Sequence, residues 1–116
     1  MKTLQLPSAV EQELAELKKT IREILGDHLK QIILFGSYAR HEANEESDID
    51  IMVLTDLEGK ALKEKQELIW NKCADLFIQY SLLPTVMLRN EQQFIERSQY
   101  VPFYMTVAEE GVVIYG

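Results

Sequence analysis

One cysteine, Cys73, is the whole thiol content of these 116 residues, so no internal disulfide can form. A chain of that kind suits a reducing compartment. No apolar run approaches the length needed to span a membrane. The opening stretch MKTLQLPSAVEQE has no sustained apolar signal core and soon turns acidic. A cytoplasmic location and no membrane partner are therefore expected. Basic residues are also scarce: 12 Lys and Arg face 19 Asp and Glu, for a formal net charge of -7. Direct nucleic-acid binding needs clustered cations to neutralise phosphates, so it is not expected either. A small anionic ligand in a local site stays compatible with that charge. His28 has no second ligand at metal spacing, which argues against zinc. Neither G-x-x-x-x-G-K-S/T nor G-x-G-x-x-G occurs, and repeats, low-complexity tracts and linkers are missing too.

What is present is an ordinary globular balance, 47% hydrophobic and 27% charged. The length fits one domain covering residues 1–116. Residues 8–25 predict a helix, because Val10, Leu14, Leu17, Ile21 and Ile24 form one apolar stripe. Ser8 is placed to cap it and Gly26 to stop it. LKQIILF (29–35) and DIDIMVL (48–54) predict strands, and helical spacing returns from Lys60 to about Tyr80. There Leu62, Ile69, Cys73, Leu76, Phe77 and Tyr80 can share a face. LLPTVML (82–88) predicts an edge strand near Pro84. Two short helices follow, over 90–98 with an Asn90 cap and over 100–110, then a final strand over 112–115. The expected fold class is α/β in the broad sense (α+β): a small mixed sheet of about four strands with helices packed on it.

The stretch LFGSYARHEANEESDIDIMVL, residues 34–54, carries the chemistry. A strand has a side-chain period of two, so Asp48 and Asp50 point to one face, about 7 Å apart. At an effective dielectric of about 20 their repulsion is roughly 2 kcal/mol, and a divalent cation removes it. Hard oxygen ligands suit Mg2+ or Mn2+. Taken alone, the pair fits a solvated strand end equally well. The Gly36–Ser37 pair ends the preceding apolar strand. A Gly lets backbone N–H groups approach an anion, and a Ser hydroxyl can donate to a phosphate oxygen. A plain strand-ending turn is the other reading of that pair. If the two strands are neighbours, a metal-bound nucleoside triphosphate can lie across both.

Gly-Ser, ten residues, then D-x-D resembles the nucleotidyltransferase superfamily that includes DNA polymerase β. The closer resemblance is to its minimal nucleotidyltransferases (MNT), which read G-S-x-A-R-G-x-A-x-x-x-S-D-I/L-D. This chain reads GSYARHEANEESDID, so Ala39, Arg40, Ala43 and Ser47 match as well. The resemblance implies the nucleotidyltransferase fold over nearly the whole chain. It implies metal ligation and catalysis by Asp48 and Asp50, and nucleotide binding by Gly36 and Ser37. Arg40 stands to face the phosphates or to be solvated, and Ser47 to orient the loop before the acids.

Two departures stand out. His41 replaces a Gly, which suggests a left-handed backbone there. The later strand LLPTVML carries no third acid, which leaves the general base unassigned. Asp75 and Glu91, on or at helices, read as surface residues.

The resemblance implies AMP transfer from Mg-ATP to an acceptor hydroxyl. It also implies pairing with an all-helical HEPN toxin whose tyrosine would be modified, the chain acting as antitoxin. The alternatives are an antitoxin that neutralises by contact alone and an aminoglycoside-type small-molecule nucleotidyltransferase. Homo- or hetero-oligomers fit any of these.

Overall fold

A computed structural model describes residues 6–44 and 47–116. Helix α1 spans Ser8–Leu25 and runs through a short 3-10 turn, Gly26–His28, into strand β1, Leu29–Phe35. Strand β2 covers Ile49–Thr55, and the long helix α2 covers Gly59–Tyr80. Strand β3 is Pro84–Asn90, followed by α3 (Glu91–Arg97), α4 (Pro102–Glu110) and β4 (Val112–Tyr115). The four strands form one sheet in the order β3-β2-β1-β4. β1 pairs antiparallel with both β2 and β4, while β2 and β3 run parallel. A parallel pair needs a long crossover, and α2 supplies it. The sheet is mixed, as the element order predicts.

The period of two sorts β2 onto two faces. Ile49, Ile51 and Val53 join the larger core with the α1 stripe and with Ile69, Cys73 and Leu76 of α2. Met52 and Leu54 point the other way, into a smaller core with Ile33, Phe94 of α3 and Val107 of α4. Asp50 has the parity of Met52 and Leu54, so its carboxylate belongs to the α3/α4 side of the sheet.

Several local expectations change. Ser8 is the first residue of α1 rather than its cap; Pro7 precedes it and supplies no side-chain cap. Pro at the helix entry needs no N–H partner there. Gly26 does end α1, at φ 54. Phe77, placed by periodicity with the core face, is 47% exposed because the helix is covered on a narrower stripe than its apolar residues. β3 begins at Pro84, where a missing N–H costs nothing at a strand start, and extends to Asn90. The Asn90 side chain accepts from the Gln93 N–H at 3.1 Å and caps α3.

β3 is an edge strand, and α2 closes part of that edge. Gln66 accepts from the Leu88 N–H at 2.8 Å and donates to the Val86 carbonyl at 3.3 Å. Trp70 Nε1 donates to the same carbonyl at 3.0 Å. A side-chain amide and an indole N–H thus stand where a further strand would pair, one way proteins protect an edge. Among the described residues no helix is long and apolar enough to cross a membrane.

Candidate active site

The antiparallel register sets Phe35 opposite Asp50, so the end of β1 and the start of β2 are direct neighbours. Gly36 is the next residue, with φ 77, a left-handed conformation suited to glycine. A Cβ built on Gly36 would run into the Asp50 carboxylate. Glycine is therefore required twice at this position, by its backbone angle and by the acid packed against it.

After Gly36 the chain turns back on itself. The Arg40 N–H donates to the Gly36 carbonyl at 3.1 Å, and the Glu42 N–H donates to the Ser37 carbonyl at 2.9 Å. The N–H groups of Ser37, Tyr38 and Ala39 make no hydrogen bond within the described residues. N–H groups presented by a turn of this kind can take up an anion. His41 has φ 60, the left-handed backbone that its place in the motif predicts. The Ser47 hydroxyl accepts from the Asn44 N–H at 2.9 Å, so it shapes the loop leading to the acids.

Asp48 precedes β2 and is exposed, and Asp50 is half-buried. Burial first, then the charge of Asp48, raises the Asp50 carboxyl above the ordinary carboxylate range; the Arg40 guanidinium acts in the opposite direction. A dication fits this donor set, because it would offset both the desolvation and the repulsion between the two acids. Arg40 donates through Nε to Glu42 at 3.1 Å and lies 3.6 Å from Glu110 at the end of α4. Glu110 is a partner that sequence spacing does not reveal, since 70 residues separate it from Arg40.

Thr85 is the other residue sequence reasoning missed. In the parallel register Thr85 lies directly beside Asp50, and Met87 beside Met52. Neighbouring parallel residues share a face, so Thr85 is the β3 side chain next to the acid pair. No cluster of three or more His, Cys, Asp or Glu suited to a metal occurs among the described residues. Asp75 is exposed on α2 and Glu91 half-buried at the start of α3.

Residues 14–110 match a family model described as a nucleotidyltransferase domain. A candidate protein adenylyltransferase of Methanocaldococcus jannaschii is 30% identical over 105 residues, 90% of this chain and 97% of that protein. A toxin–antitoxin crystal structure with AMP-PNP has the same fold, with a TM-score of 0.55 at 24% identity over 91% of this chain and 73% of that one. So does a complex of a tri-AMPylated Shewanella oneidensis HEPN toxin with its MNT antitoxin, with a TM-score of 0.51 at 22% identity over 91% and 71%.

Proposed function

The chain belongs to the nucleotidyltransferase domain family, and from that premise we propose that it moves AMP from ATP to a hydroxyl of a partner protein. In this reading residues 1–116 form one catalytic domain, the antitoxin of a HEPN-type toxin pair. The observation that carries the reading is the fit of Gly36 against Asp50, which joins the acid pair to a turn whose first N–H groups make no hydrogen bond among the described residues. The name of the Methanocaldococcus relative and the two toxin–antitoxin structures support it.

Gly36 and Ser37 hold the β- and γ-phosphates through N–H groups and the Ser37 hydroxyl, with Arg40 beside them. Asp48 and Asp50 hold Mg2+ or Mn2+, and Ser47 fixes the loop that presents them. Bound there, the cation neutralises charge on the transferring phosphoryl group and the leaving pyrophosphate. The chain's work is positioning. It holds the α-phosphorus so that the acceptor oxygen bonds to it in line as the bond to pyrophosphate breaks, with the acceptor proton released to water. With Thr85 beside Asp50, no carboxylate is assigned as base. A phenol ionises near pH 10, far more readily than an aliphatic alcohol, and so needs less help from a base. A tyrosine hydroxyl is the acceptor that suits this site.

Incubation with Mg2+, labelled ATP and the toxin tests the proposal. Label should move to the toxin, and Asp48→Asn and Asp50→Asn should each abolish the transfer. The same uncharged Thr85 favours a second reading, neutralisation by contact alone. Absence of transfer, with full neutralisation by the double variant, would establish that reading and remove the first.

A further inference from the structure

Acids outnumber bases 19 to 12 in this chain, so a guanidinium has carboxylates to choose from. Arg40 takes two of them, Glu42 and Glu110. Arg89 and Arg97 take none: among the described residues no salt bridge joins either to an Asp or a Glu. Both turn to one phenol instead. Arg89 Nε donates to the Tyr104 hydroxyl at 3.1 Å. Arg97, in the last turn of α3, bonds the same group. Three elements meet there, since Arg89 lies on β3 and Tyr104 on α4.

A hydroxyl is a poor answer to two guanidinium groups. It supplies lone pairs but carries no charge unless it ionises, and the two cations repel each other across it. Burial pushes the Tyr104 phenol up, yet the bonds and charges of Arg89 and then Arg97 outweigh burial and hold it below its ordinary range. The local field is therefore positive in a chain of net charge -7. A cation in the last turn of a helix is favourable by itself, which accounts for Arg97. It does not account for Arg89 converging on the same oxygen. Arg89 also has further N–H groups to offer. Of its five, Nε serves Tyr104 and one on Nη1 serves the Leu88 carbonyl at 2.9 Å. A groove of about 400 Å3 along the β3 edge, with Trp70 on its other wall, opens onto this guanidinium.

We propose that Arg89, Arg97 and the Tyr104 hydroxyl form a second anion site, which takes a phosphate group. Two guanidinium groups match the charge of about -1.5 to -2 on a phosphate near neutral pH, whereas a carboxylate answers only one. Guanidinium forks suit phosphate oxygens, and the phenol proton can be donated to another. The site lies apart from the candidate active site. Thr85 is the β3 residue beside Asp50. Arg89 comes four residues later, about 13 Å along the strand, with Met87 packed on the small core in between. Thr85 lines the same groove, so the groove connects the two sites, which share no residue. The inference stands whether or not the chain transfers AMP.

Calorimetric titration of the intact protein with inorganic phosphate, phenyl phosphate and acetate, without nucleotide or divalent cation, tests this. Phosphate should bind saturably, and acetate roughly tenfold more weakly or less. Arg97→Ala, at an exposed position, and Arg89→Ala should each weaken phosphate by about tenfold or more, the scale of a lost hydrogen bond to a charged group. Ser37→Ala should leave phosphate affinity unchanged, which separates this site from the Gly36–Ser37 turn. Ring signals of Tyr104 in NMR spectra, identified by their loss in Tyr104→Phe, should shift as phosphate is added. If Arg89→Ala does not fold, as judged by circular dichroism, Arg97→Ala decides. Tighter binding of phenyl phosphate than of phosphate assigns the site to a phosphate ester lying in the groove; equal binding assigns it to the free ion. Three results overturn the inference: no saturable binding of either phosphate, unchanged binding in Arg97→Ala, or acetate as tight as phosphate. Phosphate binding lost in Ser37→Ala alone overturns it as well, and leaves the nucleotidyltransferase reading intact.

Discussion

Thr85 stands directly beside Asp50 in the parallel register of β2 and β3, on the same face of the sheet. The candidate site is thus two carboxylates with a hydroxyl for a neighbour. An acid at this position should change metal binding in a predictable direction. Thr85→Asp should bind Mn2+ more tightly by titration calorimetry. Without metal it should lose about 1–2 kcal/mol of stability from a third like charge. Weaker Mn2+ binding in this variant would show that Thr85 does not face the acid pair.

The fit between Gly36 and Asp50 leads to a second expectation. Gly36→Ala adds a Cβ where the Asp50 carboxylate lies and strains a left-handed backbone. AMP transfer should fall by about a hundredfold or more if misplacing the reacting groups by an ångström is the cause. Melting temperature should fall as well. A variant with normal transfer would separate the turn from the chemistry.

Arg40 allows a sharper distinction. It is exposed and bonded to Glu42 and Glu110, side chains that a bound triphosphate would rival. Arg40→Ala should raise the Kd for ATP while leaving the melting temperature nearly unchanged. Glu110→Gln should lower the Kd, because it releases one of the partners. Equal ATP affinity in both variants would assign Arg40 to the surface alone.

Glu13 predicts a pH dependence of stability. It lies on the core face of α1, fully buried, with neither carboxylate oxygen hydrogen-bonded within the described residues. Burial raises its pKa from 4.5 to about 7. Its charge in turn helps to hold the Cys73 thiol up at about 11, an effect second to burial. A carboxyl whose folded pKa is raised stays protonated, and compatible with the core, below about 4.5. Stability is then lost as pH rises from there through about 7. Glu13→Met should remove that slope and stabilise the protein at pH 8 by up to about 3 kcal/mol. Chemical denaturation at pH 5 and pH 8 checks both; an unchanged slope would mean that the carboxylate finds water or a partner.

Much of the architecture was legible in the sequence, for reasons that can be named. The α1 stripe and the β4 segment are local patterns, and they appear in the fold with little change. Asn90 caps its helix as its residue type predicts. Local pattern misplaced Phe77 and Ser8, because the width of a buried stripe and the entry into a helix depend on what packs nearby. It also gave no sign that Glu13 and Gln66 are buried, since a polar residue on a helix ordinarily faces water.

By itself the sequence determined the spacing of Gly36, Ser37, Asp48 and Asp50, and with it the family. Those are properties of fifteen consecutive residues, where the period of a strand and the freedom of glycine decide what each can do. Only the tertiary structure decided which face of the sheet Asp50 occupies, that Thr85 is its neighbour, that Glu110 reaches Arg40, and that Arg89 and Arg97 meet at Tyr104. Each of these joins residues from separate elements, and their meeting is fixed by strand register and by the α2 crossover, which no local pattern encodes.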